Sequence, residues 1–224
     1  ARLPGLGQPM QKGGAAGWNY PVNPFELQKQ LEGGIEHHKA GRGEEAEKVY
    51  RAVLAKVPNQ PDALNLLGVL AMEAGNHDAA FDFLERAVMA RPKDPAVLNN
   101  YGNALSLVRR FEDAITHLER ALSIKPDMAD AWLNLGRTLN SAGRGERALK
   151  CFDHLTKIKP ESHASKSGIS RAYLGLGRTA DAEQAARDLI AAAPQMSSGY
   201  VNLSNAHKFK PGEPEIALVE DMIA

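Results

Sequence analysis

The chain holds a single cysteine, Cys151, in 224 residues. One thiol can form neither an intrachain disulfide nor a multi-cysteine zinc cluster. That agrees with a reducing compartment, and a cytoplasmic location is the expectation. Net charge is equally lacking. The 27 Lys and Arg are matched by 27 Asp and Glu, so no overall field draws the chain to nucleic acid or to an anionic membrane. No run of about 18 apolar residues occurs, so no membrane-spanning helix is expected. The opening "ARLPGLGQPMQKGGAAGWNYPVNP" has no continuous apolar stretch of the signal-peptide kind and no initiating methionine. A processed or excised chain is expected from that beginning.

What the chain does have is a period. Pro58, Pro92, Pro126, Pro160 and Pro194 stand 34 residues apart, and Ala46, Ala80, Ala114, Ala148 and Ala182 run in phase with them. A third column reads Gly34, Gly68, Gly102, Gly136, Ser170 and Ser204. Within a period the apolar residues recur at helical spacing. Trp132, Leu135, Gly136 and Leu139 form one stripe; Ala148, Phe152 and Leu155 form a second after Gly143. Pro160 closes the unit because proline cannot continue a helix. Small residues in the Gly and Ala columns let two helices approach closely, each admitting the other's large side chains.

The motif "WLNLG" with Ala148, Phe152 and Pro160 resembles the 34-residue signature of the tetratricopeptide repeat family, and the likeness covers about residues 27–209. The resemblance implies an all-α fold: a right-handed superhelix, or α-solenoid, of antiparallel helix pairs with first helices lining the concave side. Five repeats are expected at about residues 27–60, 61–94, 95–128, 129–162 and 163–196, then a half repeat, giving an array over 25–209. Residues 1–24 are expected to form an extended Gly/Pro-rich segment, and 210–224 a C-terminal helix that continues into a longer parent protein. The first unit departs from the pattern at Gln30, Gly33 and His37, and is expected to be a loosened or capping unit.

Candidate chemistry is sparse. "LGLGRTA" (174–180) looks like a phosphate loop, but it follows a helix, and Gly177 shares its turn position with Gly41, Gly75 and Gly143. His37 and His38 are adjacent, so they point about 100° apart on a helix and cannot chelate as residues four apart would. Cys151 precedes core Phe152 and is expected to pack. Glu44, Glu45 and Glu47 suit the positive end of a helix dipole. The sequon Asn202-Leu203-Ser204 falls in mid-helix. No catalytic residues, no metal and no cofactor are expected.

"VLNNYGNAL" (97–105) raises the functional question. Asn99, Asn100 and Asn103 each cost roughly 0.5–0.7 kcal/mol against alanine in a helix interior, and Gly102 about 1. Opposite the core stripe of each first helix lies a second stripe, expected to face the groove. Along the chain it places Asn100, Asn134 and Asn202 in one column, flanked by Asn103, Arg137, Arg171 and Asn205, with Asn65 and Asn99 at the edge. Such amides offer a donor and an acceptor to a peptide unit. The column resembles the asparagine ladder of O-GlcNAc transferases, although Leu66 and Gly168 interrupt it. Two readings stand: a grip on an extended peptide, or the polarity of a crowded, solvated wall.

Leu66 and Val69, with Ile35, are apolar on the same face. They mark either an anchoring pocket or a surface covered by the irregular first unit. The expected partner is a protein or peptide in extended conformation, and the acid-free residues 1–24 are a second candidate for the groove. The end of the array, including Ile216 and Met222, offers a third possibility, self-assembly. "DALNLLGVLAMEAG" with "LSNAHKFKPGEPEIALVEDMIA" resembles the N-terminal region of bacterial TPR-containing sulfotransferases, which implies a substrate-recruiting half whose catalytic motifs would lie past Ala224.

Overall fold

The computed structural model describes residues 23–209 and Ile216; the expectations for the N-terminal segment and the C-terminal helix fall outside the described residues. Helices follow one another in pairs: α1 (Pro24–Lys39) and α2 (Gly43–Lys56), α3 (Pro61–Glu73) and α4 (His77–Ala90), α5 (Pro95–Leu107) and α6 (Phe111–Ile124). They continue with α7 (Ala129–Ser141) and α8 (Gly145–Ile158), α9 (His163–Gly175) and α10 (Thr179–Ala192), and end among the described residues with α11 (Ser197–Ala206). No strand occurs among the described residues.

Local chemistry explains the boundaries. Asn23, Gln60, Asp94 and Ser162 cap first helices by accepting backbone N–H groups with their side chains, and proline follows three of these caps. Between paired helices the chain turns through a left-handed residue. Gly41, Gly75, Gly143 and Gly177 hold φ of 72–73°, and Arg109 takes the same place in the third unit at φ 63°. A side chain there is strained, because its Cβ crowds the backbone.

Packing within each pair depends on the Gly column. A Cβ on Gly34 would lie 2.5 Å from Tyr50, one on Gly102 2.7 Å from Leu118, and one on Gly136 2.6 Å from Phe152; Gly68 is blocked in the same way by Leu84. The fifth unit shows the converse. Its column residue is Ser170, the facing residue is Ala186, and the serine hydroxyl donates to the Ala182 carbonyl at 2.8 Å. Size on one helix is thus balanced by lack of size on the other.

The first unit is a regular pair, not a loosened one. Leu31 and Gly34 of α1 are buried, and Leu31 shares a core with Tyr50, Val53 and Leu67. Its irregular residues stay at the margin: Gln30 accepts from Lys56, and His37 Nδ1 accepts from Arg42. Curvature follows from contacts between units. Each first helix touches the next first helix, from α1–α3 through α9–α11, whereas no two second helices meet among the described residues. The layer with the closer spacing is the inside of the bend, so the first helices form the inner wall.

Candidate recognition surface

Two neighbouring columns of the inner wall explain the asparagines. One holds Leu31, Asn65, Asn99, Leu133 and Ser167; the other, one residue later in the following unit, holds Leu66, Asn100, Asn134, Gly168 and Asn202. Asn100 Nδ2 donates to Asn65 Oδ1 at 2.9 Å, and Asn134 Nδ2 donates to Asn99 Oδ1 at 3.0 Å. Asn202 Nδ2 donates to both the carbonyl and the hydroxyl of Ser167 at 3.1 Å. Asn99 Nδ2 joins the first two links by donating to Asn100 Oδ1 at 3.2 Å. The amides therefore run Asn134, Asn99, Asn100, Asn65 across three first helices, and each link between helices donates from the later repeat to the earlier one.

The interruptions obey the same rule. Where the earlier column carries Leu31, the later one carries Leu66, and the two meet in one apolar cluster. Leu133 is matched by Gly168, whose carbonyl accepts instead from Asn140 at 2.9 Å. A polar residue faces a polar one and an apolar residue an apolar or absent one, as buried donors and acceptors require. Asn99 and Asn202 are only 5% and 4% exposed. The structure thus places these asparagines primarily in joints between repeats. Leu66 packs on the core of the first unit, and Leu66, Val69 and Ile35 are all half-buried.

A different column is left open to the groove: Val69, Asn103, Arg137, Arg171 and Asn205, one residue per repeat. Asn103 makes a long contact from Nδ2 to Met72 Sδ at 3.7 Å. Arg137, Arg171 and Asn205 are exposed. Arg137 and Arg171 have no hydrogen-bonding, ion-pair or aromatic partner among the described residues. Every other described arginine donates to an acceptor or lies over a ring. Arg91, for example, holds Asp62 with two hydrogen bonds of 2.6 and 2.9 Å. Loss of surrounding water, and next the like charge of Arg171, lowers the affinity of the Arg137 guanidinium for its proton.

Other titratable groups have ordinary structural roles. His38 pairs with Glu73 at 2.7 Å and His207 with Glu183 at 3.0 Å, while burial pushes the Cys151 thiol up to about 11. No cluster of His, Cys, Asp and Glu suited to a metal occurs among the described residues, and no helix there is long and apolar enough to cross a membrane. Gly175 and Gly177 close α9 and turn the chain, as the turn position shared with Gly41, Gly75 and Gly143 suggested. Sequence reasoning passed over one feature: an outer cleft of about 630 Å³ between α6 and α8, floored by Leu122, Leu135 and Leu139. Its signal was a further 34-residue column, in which Cys151 replaces the larger Phe83 and His117.

Tetratricopeptide repeat models match residues 31–95 and 108–167, together more than half of the chain. The chain belongs to the tetratricopeptide repeat family. A crystal structure of MamA is similar over 72% of this chain and 95% of its own, at 25% identity and a TM-score of 0.62. The thermophilic TPR protein TTC0263 of Thermus thermophilus is similar over 80% of this chain and 98% of its own, at 20% identity and TM-score 0.64. YrrB, described as a TPR protein with an unusual peptide-binding site, covers 76% of this chain with 88% of its own, at 18% identity and TM-score 0.62. These likenesses establish the TPR solenoid. No curated protein matches the chain, so the resemblance to sulfotransferases has no curated relative behind it.

Proposed function

We propose that this TPR array is a protein-interaction scaffold whose inner wall holds an extended segment of a partner. The observation that carries the reading is the division between adjacent columns. Asn65, Asn99, Asn100, Asn134 and Asn202 join repeats, and this leaves Asn103, Arg137, Arg171 and Asn205 presented one per unit along a continuous surface. Regular spacing along a curved wall suits a chain laid lengthwise, and TPR proteins recognise partners through such surfaces. The peptide-binding site named for YrrB supports this mode in a protein of the same fold. A docked chain gains further from the unused amide edges, the Asn65 Nδ2 and Asn134 Oδ1 ends of the ladder.

Selection of peptides from a random display library on the intact array tests the reading. Enriched peptides should lose affinity for an N103A/N205A/V69A variant while its melting curve stays close to that of the parent. Equal affinity for parent and variant would remove the inner wall from recognition.

A further inference from the structure

We propose that Arg137 and Arg171 form an anion subsite that selects partner segments carrying an acidic side chain; this rests on the inner-wall reading above. Arg137 on α7 and Arg171 on α9 occupy the same position of successive repeats, and these helices are in contact. Arg171 is near enough for its like charge to act on Arg137, and neither guanidinium has an ion pair among the described residues to offset that repulsion. The other described arginines are satisfied within the fold, so this pair stands apart from the rest of the described surface. A carboxylate placed between them would accept charge-assisted hydrogen bonds from both planar forks and relieve their repulsion.

The setting favours entry of a chain. On the same face of α9 as Arg171 stand the small residues Ala164 and Gly175, and a Cβ on Gly175 would meet nothing within 4 Å. The flanking members of the column, Asn103 and Asn205, are neutral amides able to pair with peptide groups on either side of the acid. The protein's own residues 1–24 contain neither Asp nor Glu, so they offer this subsite no side-chain anion. A separate protein segment with a Glu or Asp is the occupant that the charges fit.

A fluorescein-labelled deca-glutamate peptide with an amidated C-terminus is the probe, and deca-glutamine is its neutral counterpart. Fluorescence anisotropy with the whole chain should show binding of the glutamate peptide only, weakening as salt is added. An R137Q/R171Q variant should bind it at least about tenfold more weakly. A K150Q variant, altered on the outer face, should match the parent. R137K/R171K keeps both charges without the planar fork and should bind between the two. A peptide with phosphoserine in place of glutamate distinguishes a phosphate source from a carboxylate source; tighter binding of the phosphopeptide would overturn the carboxylate assignment. No binding of deca-glutamate to the parent, or equal binding to R137Q/R171Q, would overturn the subsite. If display-selected peptides then still depend on Asn103 and Asn205 but carry no acids, the inner-wall reading stands and only the anion subsite falls.

Discussion

Alanine at position 136 is the sharpest test of how this array is packed. Its Cβ would sit 2.6 Å from Cε1 and 2.7 Å from Cζ of Phe152. That ring is fully buried, and Gly168 of the next repeat presses on the same tip from α9. The ring therefore has no free side to turn toward. Alanine gains about 1 kcal/mol over glycine in helix propensity, but overpacking a filled core costs about 1–3 kcal/mol. With both sides of the ring blocked the clash prevails, and G136A should destabilise by about 1–2 kcal/mol. F152A alone removes the ring and should cost about 3–5 kcal/mol. G136A/F152A should cost no more than F152A, because the new methyl enters vacated space, as the Ser170 side chain does opposite Ala186. Urea unfolding followed by circular dichroism measures the cycle. Amide exchange over α7 to α9 localises it, since repeat arrays open by sections. A G136A chain as stable as the parent, or strictly additive costs in the double variant, would refute the close-packing account.

Other substitutions test the remaining features. R109G should stabilise the chain by about 0.5–1 kcal/mol by relieving the left-handed strain at φ 63°, measured as a rise in melting temperature. N65L/N100L should cost less than Asn100→Leu alone, since the Leu31–Leu66 precedent replaces one joint and only the Asn99 amide then loses its acceptor. Asn100→Leu alone should cost about 1–3 kcal/mol, because it strands the amides of Asn65 and Asn99. Burial, and then Arg120, holds the His117 imidazole below its ordinary range. The unfolded chain then binds more protons, so the His117 contribution is present above the ordinary imidazole range of about 6.5 and declines as pH falls below it. H117F, which copies Phe83 one repeat earlier, should flatten that part of the pH–stability curve and satisfy a site where Nδ1 has no partner.

Much of the fold was legible because its determinants are local and repeat. The proline, glycine and alanine columns fix where helices end and how closely they pair, and α3 through α10 follow them closely. The first unit misled because Gln30, Gly33 and His37 lie at the margin of α1, where the family pattern expects apolar groups, while Leu31, Gly34 and Tyr50 supply the core. The inner wall was legible in position but only partly in role. Periodicity on one helix shows which way Asn100 points, but not that Asn65 of the preceding unit will meet it. That pairing runs between residues 35 apart, one more than the repeat, so columns kept strictly in phase do not bring it together.

The same offset gives the array its functional economy. A helix interior tolerates asparagine poorly, so three of them in α5 need a compensation. Asn99 and Asn100 find it in joints with α7 and α3. Those joints fix the angle between repeats, and hence the curvature on which any groove depends. Under the proposed function, recognition falls to a column that makes few internal bonds and can vary without loosening the solenoid. Arg137 and Arg171 belong to that column, and replacing them should change what is bound while the curve remains. A substitution in the amide ladder should instead weaken every ligand together, because it alters the wall itself. Partner affinities measured on both kinds of variant therefore separate a residue that reads the ligand from one that shapes the surface.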